Sequence, residues 1–191
     1  MPVELIVGLG NPGPAYERTR HNAGADLVLE LAKSLHVELK HESKFFGDTA
    51  RVTLGGRDVR LLIPSTFMNL SGKSVNALAK FYQVAPEAIL VVHDELDKPP
   101  GEARFKKGGG HGGHNGLRDT IKCLGNKNEF ARLRIGIGHP GNAKQVADYV
   151  LKKASPNDQQ LITNSIDDAL RALPLAVAGE WEKAMLKLHS A

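Results

Sequence analysis

The sequence is short of cysteine, of long apolar runs and of repeated or low-complexity segments. Cys123 is the only cysteine among 191 residues, so an intrachain disulfide is excluded and a reducing cytosol is the expected compartment. No apolar run approaches the roughly 18 residues that cross a membrane. The opening MPVELIVGLG has neither the basic segment nor the small-residue cleavage site of a signal peptide. We therefore predict a cytoplasmic protein without a membrane segment, folded as one domain over residues 1–191.

The charge balance is mildly basic. The formal net charge is +4 and the calculated pI is about 9.2. An excess of this size is far from that of a histone-like protein. It permits a polyanionic partner such as a nucleic acid without requiring one.

Strand and helix patterns alternate along the chain. Continuous apolar runs at Val3–Leu9 and Ala88–Val92 predict buried strands, and two alternating segments joined by Gly55-Gly56 predict a hairpin. Helical periods lie between the strands, and Ser71 is expected to cap one of these helices. The pattern predicts an α/β fold: a single three-layer α/β/α domain with a twisted mixed sheet and C-terminal helices.

The glycine-rich stretch Gly8–Gly24, GLGNPGPAYERTRHNAG, follows the first predicted strand. Its first three glycines match the G-x-G-x-x-G pattern of dinucleotide-binding loops. In such a loop the third glycine opens a helix, and an acidic residue ends a second strand about 20 positions later. Here Pro14 follows the third glycine, the helical period starts only near Ala23, and no strand ending in a carboxylate follows at that spacing. The stretch is therefore not interpreted as a dinucleotide site.

Polar side chains follow the predicted strands, where α/β sheets form their sites. No serine stands in a G-x-S-x-G elbow, and Cys123 lies in a helical pattern, so a covalent nucleophile is not indicated. A histidine can take a proton from water, a carboxylate can fix its tautomer, and asparagine amides can donate to an oxyanion. These residue types predict water-mediated acyl hydrolysis without a metal or a covalent intermediate. The candidates are His21, Asp94, His111, His114, Asn11, Asn22, Asn69 and Asn115.

Five long motifs, in order along the chain, resemble those of bacterial peptidyl-tRNA hydrolases. They are GLGNPGPxYxxTRHNxG (Gly8–Gly24), PxTFMNxSG (Pro64–Gly72), HDELD (His93–Asp97), PPG with FK and GGGHGGHNGL (Pro99–Leu117), and RLRIGIGHP (Arg132–Pro140). The resemblance extends along almost the whole length of the chain. The fold of that family, a single α/β/α domain with a mixed sheet, agrees with the alternation of strand and helix patterns.

The resemblance implies an enzyme that hydrolyses the ester between a peptide and the tRNA 3′ ribose, thereby recycling tRNA from stalled ribosomes. It implies no cofactor, no metal, and a monomer. By this resemblance His21 is the catalytic base, Asp94 is the carboxylate that hydrogen-bonds it, and Asn11 helps to distinguish peptidyl from free aminoacyl substrates. The resemblance also implies contacts with the acceptor stem, 3′ end and 5′ phosphate of peptidyl-tRNA. Asn69 and Asn115 are expected to bind the substrate, and Lys106 and Arg134 are expected to bind the 5′ phosphate. The residues expected to line the substrate channel are Tyr16, Phe67, Met68 and His114.

Two alternatives remain from the residues alone. One is a metal-dependent hydrolase in which His93, Asp94, His111 and His114 bind zinc. The other is an RNA-binding module without catalysis, although such a module has no need of a His–Asp pair. Elemental analysis distinguishes the first alternative, and turnover after replacement of His21 distinguishes the second.

Overall fold

Seven strands form one mixed sheet in the computed structural model, which describes residues 1–190. Their spatial order is β2–β3–β4–β1–β5–β7–β6. The strands are β1 (Leu5–Gly8), β2 (Lys40–Glu42), β3 (Gly47–Leu54), β4 (Arg57–Pro64), β5 (Ile89–Glu95), β6 (Ala103–Lys107) and β7 (Ala131–Gly136). The central strand β1 pairs in parallel with β4 and β5, and β5 pairs in parallel with β7.

Helices cover both faces of this sheet. They are α1 (Ala23–Ser34), α2 (Ser71–Phe81), α3 (Asn115–Cys123), α4 (Val146–Val150), α5 (Pro156–Val177) and α6 (Trp181–His189). Apolar residues of α1, α5 and α6 pack in one core cluster, and those of α2 and α3 pack in a second cluster with other strand residues. The predicted three-layer α/β/α fold with a mixed sheet and C-terminal helices is confirmed. In the described part of the chain, no helix combines the length and apolar character needed to span a membrane.

Local sequence patterns explain most of these elements. The apolar runs became β1 and β5, whose residues are buried on both faces, as is typical of parallel strands covered by helices. Gly55 and Gly56 have φ angles of 58° and 75°, which is the left-handed geometry that a two-residue turn between β3 and β4 requires. The predicted hairpin is therefore confirmed.

The expectation for Ser71 is wrong. Leu70 occupies the cap position of α2, and Ser71 is already the first helical residue. The Ser71 hydroxyl donates to the carbonyl oxygen of Met68 at 2.7 Å, so it closes the preceding 3₁₀ turn. The free backbone N–H of Gly72 donates to the Asp119 carboxylate on α3 at 2.8 Å, and this distant residue therefore caps α2.

The approach of α1 to β5 requires a glycine. A Cβ atom on Gly24 would lie 2.1 Å from the carbonyl oxygen of Val92, which is far inside van der Waals contact. The N–H of Leu9 donates to the same carbonyl oxygen at 3.1 Å. The first turn of α1 therefore rests directly on the carboxyl ends of β1 and β5.

Candidate active site

His21 and Asp94 meet at the carboxyl edge of the sheet. His21 lies in a 3₁₀ turn, Arg20–Asn22, immediately before α1, and Asp94 lies near the end of β5. Nδ1 of His21 is 2.9 Å from Oδ2 of Asp94. Both residues are buried, with exposures of 8% and 4%.

The hydrogen bonds fix the protonation state of this pair. Asp94 is held ionised because two imidazoles outweigh the effect of burial and keep its pKa well below its usual range. A carboxylate only accepts hydrogen bonds, so Nδ1 of His21 carries the proton and donates it. Nε2 of His21 is then an unprotonated lone pair. Burial opposes charging of this imidazole, but the Asp94 carboxylate outweighs it and raises the pKa of His21 above its ordinary 6.5.

His114 is the second imidazole bound to Asp94. Its Nε2 lies 2.7 Å from Oδ1 of Asp94. Its Nδ1 accepts from the backbone N–H groups of Gly116 and Leu117 at 3.1 and 3.3 Å, so His114 is also the cap of α3. Because Nδ1 accepts, the proton of a neutral His114 must sit on Nε2. One carboxylate thus receives one N–H from each of two histidines.

Asn11 is oriented by two neighbouring segments. Its backbone N–H and C=O pair with the Asn22 side chain at 2.8 and 2.9 Å. Its own Oδ1 accepts from the backbone N–H of Met68 at 2.7 Å. This leaves the two N–H groups of the Asn11 amide as donors. Asn11 therefore joins the loop that carries His21 to the turn that carries Met68 and Asn69.

Other residues that the resemblance assigns to a substrate channel lie near Asn11. Tyr16 and Phe67 pack edge to face with their ring centres 6.3 Å apart, and 55% of Phe67 is exposed. Asn69 is exposed as well. The Met68 side chain differs from these, because it is buried in the core beside Gly116 and only its backbone faces Asn11.

A cavity of about 610 Å³ opens beside His21. The predicted residues that line it are His21, Asp94, Lys106, His114, Asn115 and Arg134. The side chain of Asn115 is exposed, and its Oδ1 accepts from Nη1 of Arg118 at 3.1 Å, which leaves its amide N–H groups free to donate. The other predicted residues, Asn11, Tyr16, Phe67, Met68 and Asn69, are not among the described residues that line this cavity.

The histidines proposed as zinc ligands do not converge. Nδ1 of His93 donates to the backbone carbonyl of Asp94 at 2.8 Å, and Nδ1 of His111 accepts from the N–H of Gly113. Burial, with a smaller effect of nearby His114, lowers the pKa of His93 to about 3, so this ring is neutral. A different trio, His21, Asp94 and His114, brings its ligand atoms within 4.8 Å of one another. Its two contacts with Asp94 have the lengths and donors of ordinary hydrogen bonds.

The sequence interpretation included Asn22 among the candidates without a specific role and did not include Arg132, yet both organise the site. Asn22 lies next to His21 and pairs with the backbone of Asn11, whereas Arg132 binds the backbone of the glycine-rich loop. Only Asn22 had a visible signal, as one of the polar residues in the first loop. A buried arginine on an apolar strand has no such signal.

Comparisons with known proteins identify the family. Residues 5–191 match the family model described as peptidyl-tRNA hydrolase. A peptidyl-tRNA hydrolase of Teredinibacter turnerae is 62% identical over 190 residues, which cover 100% of this chain and 98% of that protein. One of Shewanella halifaxensis is 63% identical and covers 98% and 97% of the two chains. The crystal structure of peptidyl-tRNA hydrolase from Acinetobacter baumannii is similar with a TM-score of 0.94 and 53% identity, over 97% of this chain and 94% of that one.

A family model over nearly the whole chain, relatives above 60% identity and a closely superimposable crystal structure all point to the same family. The polar site at the carboxyl edge of the sheet contains the histidine, carboxylate and asparagines on which the resemblance of the sequence rests. This chain belongs to the peptidyl-tRNA hydrolase family.

Proposed function

We propose that this protein hydrolyses the ester bond between a peptide and the 3′ ribose of tRNA, with His21 as the general base. The observation that carries the mechanism is the buried 2.9 Å contact between His21 and Asp94. It leaves Nε2 of His21 as a lone pair at a cavity large enough for the end of a substrate.

The proposed reaction needs one proton carrier. Nε2 of His21 takes a proton from water while the water oxygen bonds to the ester carbonyl carbon. Asp94 stabilises the imidazolium that forms. The tetrahedral intermediate then breaks its bond to the ribose oxygen, and His21 returns the proton to that oxygen. The products are a tRNA with a 3′ terminal hydroxyl group and a peptide carboxylic acid, which releases its proton to water and becomes a carboxylate.

The amide side chains suit a substrate whose peptide has no fixed sequence. Asn11, Asn69 and Asn115 would bind the peptide backbone or the oxyanion with neutral amides rather than read side chains. The free N–H groups of Asn11 support a role in selecting peptidyl over aminoacyl substrates, because a peptide carbonyl is an acceptor and a charged amino group is not.

The rest of the substrate would extend to both sides. Tyr16, Phe67 and His114 would line the path of the peptide, and Met68, whose side chain is buried in the core, would contribute only its backbone. Lys106 and Arg134, on the neighbouring strands β6 and β7, would bind the tRNA 5′ phosphate through their charge. We infer further that residues 1–191 act as one domain, as a monomer, in the cytoplasm.

The decisive assay is release of N-acetyl-amino acid from N-acetyl-aminoacyl-tRNA, with unblocked aminoacyl-tRNA as the control substrate. His21→Ala should lower kcat on the order of 10²- to 10⁴-fold and leave tRNA affinity unchanged. The matched control is His41→Ala, because His41 is an exposed histidine that also contacts a carboxylate, Asp48. Full turnover by the His21 variant would exclude His21 as the base and would leave catalysis to other groups.

The trio His21, Asp94 and His114 supports one competing mechanism, in which a bound metal ion activates the water. Elemental analysis of the active protein and assay after chelation test it. Stoichiometric zinc together with activity lost to the chelator would replace the general-base mechanism.

A further inference from the structure

Arg132 is a buried charged side chain that pairs with no carboxylate among residues 1–190, the part of the chain that the structure describes. It lies on β7 with only 2% of its surface exposed. Burial, with a smaller effect of nearby Arg134, lowers the pKa of Arg132 to about 10, which still leaves it charged at neutral pH. Burying a charge without a counter-ion is costly unless its hydrogen bonds are met. Such a residue is expected to have a role that a neutral side chain could not supply.

Backbone carbonyl oxygens surround this guanidinium. Nη1 donates to Gly110 at 2.9 Å, and Nη2 donates to Gly109 at 2.6 Å and to Asn128 at 3.1 Å. Nε donates to Phe130 at 3.3 Å, and the guanidinium carbon lies 4.0 Å from the centre of the Phe130 ring. Planar forked donors can hold several carbonyls at once, and the compact ammonium of lysine cannot reproduce that geometry.

The two glycine carbonyls belong to the start of the loop that carries His114 and Asn115. Gly109 has a φ of 116°, which only glycine adopts readily, so its carbonyl can turn towards Arg132. A Cβ on Gly109 would lie 2.9 Å from Nζ of Lys106, so the absence of a side chain at Gly109 leaves room for that lysine. At its other end the loop is held by the bond between His114 and Asp94. Arg132 thus fixes the one end of the loop that the catalytic residues do not hold.

We propose that Arg132 is a positioning residue that sets the glycine loop, and through it His114 and Asn115, against the His21–Asp94 pair. This inference rests on the proposed function for its catalytic consequence. Arg132 lines the same cavity as these residues, but its hydrogen bonds hold the loop backbone rather than His21, Asp94, His114 or Asn115.

Arg132→Lys tests the proposal because lysine keeps the positive charge but lacks the planar set of N–H donors that binds several carbonyl oxygens at once. A small displacement of catalytic groups is sufficient to lower a rate strongly, so we expect kcat to fall about 10- to 100-fold. KM should stay within about threefold, because the buried positive charge remains. Arg171→Lys is the matched control, since Arg171 is exposed on α5 and pairs with Asp168. A loss confined to thermal stability, with kcat per folded molecule unchanged, would overturn the proposal, and so would a raised KM with unchanged kcat.

A second readout does not depend on turnover. In ¹⁵N-histidine NMR spectra of the wild-type protein the ring of His114 should show a hydrogen-bonded proton on Nε2 and an Nδ1 that accepts, as its contacts require, and these ring signals should shift in Arg132→Lys. Unchanged His114 ring shifts in the variant would contradict the proposal. If instead the wild-type protein failed to cleave N-acetyl-aminoacyl-tRNA, the proposed function would fail while this spectroscopic test still stood.

Should Arg132→Lys not fold, Gly109→Ala perturbs the same contact from the loop side. Its positive φ disfavours alanine, and the core around Arg132 is left intact. The added Cβ also displaces the side chain of Lys106, so KM is expected to rise beside the loss of kcat. The same loss of kcat and the same change in the His114 spectrum are expected. Wild-type values for both would overturn the role assigned to Arg132.

Discussion

Replacing Asp94 by asparagine should inactivate the enzyme by moving one proton. The carboxylate offers an acceptor oxygen to each of two histidines, at 2.9 Å for His21 and 2.7 Å for His114. An amide of the same shape offers one acceptor oxygen and one N–H₂ donor. One of the two histidines must therefore face a donor and turn its own proton to the other nitrogen.

The structure decides which histidine changes. His114 cannot easily move its proton, because its Nδ1 already accepts from the N–H groups of Gly116 and Leu117. The amide oxygen of the variant should therefore face His114, and its N–H₂ group should face His21. His21 would then carry its proton on Nε2, the nitrogen that must accept from water. Loss of a correctly protonated base costs on the order of 10²- to 10⁴-fold in rate, and we expect kcat to fall about 10³-fold.

The pH profile provides a second signature. In the wild-type protein the rate should fall with decreasing pH as His21 becomes protonated, with a midpoint above 6.5, because Asp94 raises the pKa of His21. Without the carboxylate only burial acts on this imidazole, and burial lowers its pKa. The residual activity of Asp94→Asn should therefore fall at a lower pH than that of the wild type.

The assay is single-turnover cleavage of N-acetyl-aminoacyl-tRNA, which separates chemistry from product release. Asp167→Asn, an exposed position on α5, makes the same chemical change away from the site. A double-mutant cycle with His114→Asn, which retains a side chain suited to capping α3, tests the reasoning directly. The cost of Asp94→Asn should be smaller in that background, since the amide oxygen is free to face His21. An equal cost in both backgrounds would refute the tautomer argument, and unchanged kcat in the single variant would remove Asp94 from the mechanism.

Three further variants test other parts of the structure. Lys106→Ala should raise KM and lower the slope of log KM against log salt by about one unit. The control is Lys33→Ala at an exposed site, and an unchanged slope in Lys106→Ala would exclude a phosphate contact. Asp26→Asn should stabilise the fold by up to about 3 kcal/mol at pH 8 in urea titrations. Burial raises the pKa of Asp26 from its ordinary 3.8 to about 6, so the folded protein is most stable below pH 3.8, where Asp26 is protonated, and this stability is lost as pH rises through 6. An equal gain from Asp26→Asn at pH 4 would contradict this cause. Gly24→Ala should lower the free energy of unfolding by about 3 kcal/mol, because the added Cβ clashes with Val92. Gly110→Ala is the control, since a Cβ there meets open space, and equal urea midpoints for the two variants would argue against the clash.

Local patterns in the sequence anticipated β1, β5, the hairpin of β3 and β4 and the helices between the strands, because each depends on residues close together in the chain. The short strand β2 was not anticipated. The cap of α2 was not predictable in this way. Ser71 has the residue type and position of a cap, yet Asp119 from α3 takes that role. The cap is supplied by the packing of α2 against α3 rather than by local propensity, so the residues around Ser71 do not indicate that Asp119 is the cap.

The residues at the site divide in a similar manner. Family motifs pointed to His21 and Asp94, which the fold brings into contact across 73 positions of sequence. They did not indicate that His114 donates to the same carboxylate, that Asn22 supports Asn11, or that Arg132 holds the glycine loop. Each of these contacts joins separate loops, so it depends on strand order and register rather than on nearby residues.

By itself the sequence determined the fold class and the chemistry of the available groups, since periodicity and residue type are properties of the chain. Tertiary structure alone decided the proton arrangement. The parallel alignment of β1 with β5, together with the glycine contact between α1 and Val92, brings His21 to Asp94. The capping bonds at α3 then fix His114, and through the shared carboxylate they leave Nε2 of His21 as the free acceptor.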